Sequence, residues 1–232
     1  MTGLLFDLPP APALPVVGDT AAYPVGRIFC VGRNYAAHAA EMGFEVDREA
    51  PFYFTKSAAH VLPTGATAPY PPGTANYHHE MELVVALGAP LFRATPEQAR
   101  AAVFGYGCGL DMTRRDLQIA SRSKQRPWDL GKDVEDSAVL GPLTPAEAVG
   151  EIGPQRIHLE VNGETRQDAT LEELIWKIDE ILCDLSRFYH LRPGDLIMTG
   201  TPAGVGAVDP GDVITGGIDG LEPIRLTIAA PE

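Results

Sequence analysis

Positive charge is scarce in this chain: 18 lysines and arginines stand against 31 acids, a formal net charge of −13 at pH 7. A polyanion partner requires a basic surface. The one short basic cluster, Arg114, Arg115, Arg122, Lys124 and Arg126, equally suits a small anionic substrate or a solvated helix face, so no nucleic-acid partner is expected. Cysteine is scarcer still. Cys30, Cys108 and Cys183 make no C-x-x-C pair and leave one thiol over, which fits a reducing, cytoplasmic setting. Long apolar runs are missing too. The longest, around Leu83 to Phe92, falls far below the roughly 20 residues of a membrane span. The opening MTGLLFDLPP has no basic stretch of the signal-peptide kind. No membrane association is expected.

Glycine and proline, in contrast, are abundant. The 24 glycines and 21 prolines make up near a fifth of 232 residues, where about 12% is usual. With 45% hydrophobic content, the surplus reads as dense turns between short strands around a packed core. The expected fold class is mainly β with short helices (α+β). Residues 1–24, which hold five prolines, read as an extended N-terminal arm, and 25–232 as a single domain.

Local patterns place the elements. Ile28–Val31 reads as a buried strand, with Asn34 as N-cap of a short helix over Tyr35–Met42 that Gly43 closes. Such a helix is marginal alone. Glu80–Leu87 and Val103–Met112 read as strands, and Leu196–Thr199 follows a Pro-Gly-Asp turn. Thr95 opens a helix with a capping box, and Thr113–Asp116 carries the same pattern. Asn162-Gly163 signals a tight hairpin. Apolar residues from Leu171 to Leu185 recur at helical spacing behind Thr170 and Glu173, predicting one long helix.

Chemistry enters with the strand at Glu80. Alternation puts Met81, Leu83, Val85 and Leu87 on one face, and Glu80 and Glu82 together on the other. Adjacent carboxylates raise each other's pKa unless a cation lies between them. Either the pair points outward from a solvated edge strand or it holds a divalent ion. The next strand favours the ion: Gly105, Gly107 and Gly109 clear one face, as if something approaches the backbone, and Asp111 ends it. Three oxygen donors, Glu80, Glu82 and Asp111, suit Mg2+ or Mn2+. His78 and His79 face opposite ways, which argues against zinc. His38 and Glu41, three apart on a helix, share a face as a base and its orienting carboxylate, or form an ordinary surface contact. Lys132 is a candidate cation for an oxyanion or enolate, or a plain surface lysine. The loop Thr199–Gly206 lacks a P-loop ending and reads as a backbone-amide site for a substrate carboxylate.

Six ordered motifs, VGRNYAAHAAEMG, HHEMELVVALG, GYGCGLDMTRRDLQ, RPWDLGK, VNGETRQ and GDLIMTGTPAGVG, resemble the fumarylacetoacetate hydrolase family from about Ile28 to the C-terminus. Within it the wording is most similar to the short acylpyruvate and fumarylpyruvate hydrolases. The resemblance implies a mixed β-sandwich roll, usually a homodimer, with Mg2+ or Mn2+ on Glu80, Glu82 and Asp111. It implies catalytic roles for His38, Glu41 and Lys132, and substrate contacts for Arg115, Gln118 and Thr201. The expected activity is hydrolytic cleavage of the C–C bond in a small anionic β-diketo acid, foremost fumarylpyruvate to fumarate and pyruvate in aromatic-compound catabolism. Oxaloacetate decarboxylation or keto–enol isomerisation at the same site is the alternative. Lys56 or Arg33 is expected to meet the substrate's far carboxylate. The acids Asp133, Glu135 and Asp136 beside Lys132 depart from the family pattern, and are expected to shift the lysine's pKa or alter substrate choice.

Overall fold

The structure is a computed structural model that describes residues 5, 7, 9–43, 45–46 and 48–232. Its largest sheet runs in the order Phe52–Lys56, Arg27–Gly32, Asp195–Met198, Met81–Leu87, Val103–Asp111, Ala138–Leu140 and Val61–Pro63, with Thr144–Pro145 pairing on Val103–Asp111. A second sheet runs Glu164–Thr170, Arg156–Val161, Val213–Ile218, Ile224–Ala229 and Thr67–Pro69. Few and short helices accompany them, so the class is mainly β, as expected.

Strand Met81–Leu87 lies in the middle of the large sheet, not at an edge, and all seven of its residues are buried. Period-two alternation feeds two cores. Leu83 and Val85 pack with Ile157, Leu159, Ile214 and Leu226 of the second sheet and with Ile181, Leu182 and Leu185 of helix Ile178–Phe188. Val84 and Ala86 face the other way, with Cys30, Met198 and Leu14. Burying a side chain of this size contributes about 1.5–3 kcal/mol, so the register of this strand is strongly fixed.

The glycine face of Val103–Asp111 has a different cause from the one expected. A Cβ on Gly105 would lie 2.4 Å from the Thr144 carbonyl oxygen, and one on Gly107 would lie 3.0 Å from that of Pro142. One on Gly109 would meet Val84 Cγ2 at 2.6 Å. What approaches the backbone is the chain's own 141–145 crossing and the neighbouring strand.

Three local expectations change. Asn34 does not cap the first helix. That helix spans Ala36–Glu41 with Tyr35 at its N-cap, while the Asn34 amide donates to the carbonyls of Thr199 at 2.8 Å and Trp176 at 3.1 Å. Thr113 caps nothing, since it lies in the short strand Thr113–Arg114 ahead of helix Arg115–Ser123. The long helix over 171–185 is split into a 3-10 turn, Leu171–Glu173, and Ile178–Phe188. Between them Leu174 bridges to Tyr35 and Ile175 donates to the Asn34 carbonyl, so tertiary pairing overrides the periodicity. The Thr170–Glu173 and Thr95–Gln98 capping boxes do form. So does the hairpin at Asn162-Gly163, both residues having positive φ.

Of the arm, residues 1–4, 6 and 8 lie outside the described residues. Ala13–Pro15 and Ala22–Pro24 form a small hairpin that buries Leu14 and Tyr23, and the Tyr23 hydroxyl donates to the Leu87 carbonyl at 2.8 Å. A three-stranded sheet of Thr113–Arg114, Tyr77–His79 and Gly206–Val208 ties the segment after Asp111, the segment before Glu80 and the 199–206 loop together.

Candidate active site

Glu80, Glu82 and Asp111 offer ligand oxygens that all lie within 4.8 Å of one another, and all three residues are buried. Adjacent strands bring them together: Glu82 pairs with Gly109, and the Asp111 amide donates to the Glu80 carbonyl at 2.9 Å. Three cations surround the group. Lys132 Nζ donates to Asp111 Oδ2 at 2.6 Å, Glu80 Oε2 at 2.7 Å and Thr113 Oγ1 at 2.8 Å. Arg115 bonds the other Glu80 oxygen. Lys56 Nζ lies 2.9 Å from Asp111 Oδ1.

This arrangement divides the carboxylates. Burial works against charge on Glu80, but Lys132, Arg115 and His38 outweigh it and hold the acid well below the usual carboxylate range. Burial, with Asp111 and Glu80 nearby, pushes Glu82 well above that range. Among the described residues no lysine or arginine bonds Glu82. Its Oε2 accepts instead from the Gly200 amide at 2.7 Å. A divalent cation supplies what this site lacks, a positive charge shared by Glu82 and its neighbours, and the all-oxygen donor set fits Mg2+ or Mn2+. Asp111 Oδ1, buried and facing only the Lys56 ammonium at 2.9 Å among the described residues, fits a ligand position too. His78 and His79 stand outside the set. His78 pairs with Asn76 and His79 with Gln167.

Lys132 is buried, not a surface side chain. Burial opposes its charge, but Asp111 and Glu80 hold its pKa above the ordinary lysine value, so it acts as a fixed ammonium. The acids beside it do not set this. Asp133 turns away to the Ser57 amide at 2.6 Å and His60 Nδ1 at 2.8 Å.

His38 Nδ1 lies 3.0 Å from Glu41 Oε2, and the Gly204 amide donates to Glu41 Oε1 at 3.1 Å. Gly204 has φ +95°, and a Cβ there would lie 1.9 Å from the Arg166 carbonyl oxygen, so only glycine delivers that amide. Arg115 donates to Gln118 Oε1 at 3.0 Å. Gln167, absent from the residues singled out by sequence, accepts from the Met81 amide at 2.9 Å and donates to Thr201 Oγ1 at 2.8 Å. It thereby ties Thr201 to the strand that carries Glu80 and Glu82, and gives the VNGETRQ motif a role. Its signal is a buried amide on an otherwise polar strand.

His38, Glu80, Glu82, Arg115, Gln118, Lys132 and Thr201 line one cavity, joined by Arg33, Phe54, Arg122 and Trp128. Lys56 is not among them. It is fully buried beneath the site and donates to Ser137 Oγ at 2.7 Å and the Met112 carbonyl at 3.1 Å. Lys56 therefore meets no substrate carboxylate. It holds Asp111.

Residues 27–229 match the family described as fumarylacetoacetate (FAA) hydrolase C-terminal. The chain is 52% identical over 193 residues to a fumarylpyruvate hydrolase of a Ralstonia species, covering 82% of this chain and 100% of that protein. It is 40% identical over 204 residues to an oxaloacetate tautomerase of Escherichia coli, covering 88% of this chain and 93% of that protein. The solved structure of fumarylpyruvate hydrolase from Pseudomonas aeruginosa in complex with Mn2+ and pyruvate superposes with a TM-score of 0.95 at 48% identity, covering 98% of this chain and 100% of that one.

Proposed function

This chain belongs to the fumarylacetoacetate hydrolase family, and from that premise we propose that it is a metal-dependent hydrolase that cleaves fumarylpyruvate to fumarate and pyruvate. The observation that carries the reading is the buried Glu80–Glu82–Asp111 cluster opening into a cavity lined by His38 and Lys132. The likeness to two fumarylpyruvate hydrolases supports the substrate.

A Mg2+ or Mn2+ ion held by Glu80, Glu82 and Asp111 supplies Lewis-acid polarisation of a substrate oxygen. The rest falls to the chain. Glu41 accepts the Nδ1 proton of His38 and leaves the Nε2 lone pair to take a proton from water. The hydroxide so formed adds to the distal carbonyl of the diketo acid. The C–C bond then breaks: the acyl half leaves as fumarate, and the three-carbon half as the enolate of pyruvate. Lys132 and Arg115 face that developing negative charge. His38 returns its proton to the enolate carbon, which gives pyruvate and restores the base. Gln118, Arg115 and Thr201 orient the 2-oxo acid end.

On the same reading the enzyme serves aromatic-compound catabolism in the cytoplasm, as a homodimer with a single catalytic domain over 25–232 and an arm over 1–24. Buried, unpaired Cys30 and Cys108 suit a reducing compartment. Among the described residues no helix is long and apolar enough to cross a membrane.

A second reading, keto–enol tautomerisation of oxaloacetate, is favoured by the 40% identity to the Escherichia coli tautomerase. It uses the same base and cation with no attacking water. Following the loss of diketo-acid absorbance on fumarylpyruvate and oxaloacetate, with and without Mn2+, tests the choice. The hydrolase reading requires metal-dependent bleaching of fumarylpyruvate, and absence of turnover overturns it.

A further inference from the structure

Two cavities meet at the aromatic residue Trp128. The inner one is the carboxylate-lined centre. The outer one measures about 620 Å3. Arg33, Phe54, Arg122, Trp128 and Lys132 line both. An acylpyruvate with its 2-oxo acid end at the carboxylates therefore has one contiguous space for its acyl tail.

The outer cavity is basic. Among the described residues, Arg33, Arg122, Arg126 and Lys132 line it against one acid, Asp129, in a chain whose net charge is −13. Its wall is aromatic: the Trp128 ring lies 4.8 Å from Phe52 and 5.9 Å from Phe54. The Arg33 guanidinium sits 5.5 Å from the Phe52 ring centre and 5.9 Å from that of Trp128. Two backbone features fix this. A Cβ on Gly32 would lie 2.5 Å from Phe52 Cδ1, so glycine admits the ring. Arg33 then takes φ +60°, a left-handed conformation that a long side chain keeps only where its surroundings enforce it. The other guanidinium is placed by helix Arg115–Ser123. Arg115, Gln118 and Arg122 fall three and four apart on one face, and that face spans about 10 Å along the axis. One helix thus runs from the 2-oxo acid end to the outer cavity, a span comparable with an extended fumarylpyruvate.

Resting on the hydrolase reading above, we propose that the outer cavity is the acyl-tail subsite and that Arg33 and Arg122 bind a carboxylate at the tail's far end. The flat, conjugated tail stacks on Phe54 and Trp128, and the two guanidiniums select dicarboxylic over neutral acylpyruvates.

Two readouts test this. With pyruvate saturating the inner site, fumarate is titrated against tryptophan emission in the wild type, Arg122→Gln, Arg122→Lys and Arg33→Asn, the last keeping a residue tolerant of positive φ. In parallel, kcat/KM is measured for fumarylpyruvate and for the neutral-tailed acetylpyruvate. The expected result is a 10- to 100-fold loss of fumarate affinity in Arg122→Gln and Arg33→Asn, about the size of one charge-assisted hydrogen bond. An equal fall in the fumarylpyruvate-to-acetylpyruvate ratio accompanies it, and Arg122→Lys recovers part of both. Unchanged fumarate affinity with an unchanged ratio overturns the proposal. If the wild type cleaves neither acylpyruvate, the hydrolase reading fails, and the fumarate titration alone still decides the subsite.

Discussion

The Nδ1 of His38 lies 3.0 Å from Oε2 of Glu41, and that contact fixes which ring nitrogen is free for chemistry. A carboxylate only accepts, so Nδ1 carries the proton and Nε2 keeps its lone pair. His38→Ala removes the base and leaves the carboxylate cluster intact. Turnover is expected to fall about 10²–10⁴-fold while Mn2+ binding, read by calorimetry, persists. Full activity in this variant refutes the assignment.

Glu41 is itself held by the Gly204 amide at 3.1 Å. Gly204→Ala drives a Cβ into the Arg166 carbonyl and so displaces that amide without touching substrate. Glu41→Gln removes the charge and one of the two accepting oxygens. Each is expected to lower kcat roughly 10- to 100-fold, as loss of an orienting partner does, with KM moving less. Steady-state kinetics in which only KM moves goes against the orienting role.

Lys132 bonds the same carboxylates that are assigned to the cation. Lys132→Met takes away an ammonium that faces the reacting end and one that competes for Asp111 and Glu80. Turnover is expected to fall about 10²–10³-fold, and Mn2+ affinity is expected not to weaken. A lysine that only holds the fold together predicts the opposite for the metal.

Among the described residues, Glu82 is the one carboxylate of the three with no lysine or arginine bonded to it. Its pKa is raised in the folded state, whereas the unfolded carboxyl ionises freely. The group therefore detracts from stability at every pH above its ordinary pKa, neutral pH included. Glu82→Gln is expected to raise the metal-free melting temperature, by about 2–4 °C for each kcal/mol relieved. Wild type in metal at 100 times its Kd gains about 2.7 kcal/mol, roughly 5–10 °C, and the variant loses that gain. Thermal melts with and without chelator read both effects, and a variant that melts lower without metal contradicts the account.

Much of this site is legible in the sequence because its residues obey local periodicity. The alternation at Met81–Leu87 by itself separates Glu80 and Glu82 from the core, and the i, i+3 spacing pairs His38 with Glu41. Asp111 is legible as the end of a glycine face, although those glycines give way to the 141–145 crossing and to Val84. What stays hidden depends on distant partners. Lys56 lies beneath Asp111 because Met112, Lys132 and Ser137 receive its ammonium, and no local pattern announces that. Asn34 reads as a cap until residues 176 and 199 offer it better acceptors. The helical spacing from Leu171 is broken by Leu174 and Ile175, which pair with the 34–35 segment instead.

Product analysis of fumarylpyruvate turnover with Mn2+ decides whether the enzyme uses one water to break a C–C bond. Fumarate and pyruvate are expected in equal amounts, with no carbon dioxide and with rates that collapse in His38→Ala. Carbon dioxide release, or interconversion of keto and enol forms with the carbon skeleton intact, contradicts it.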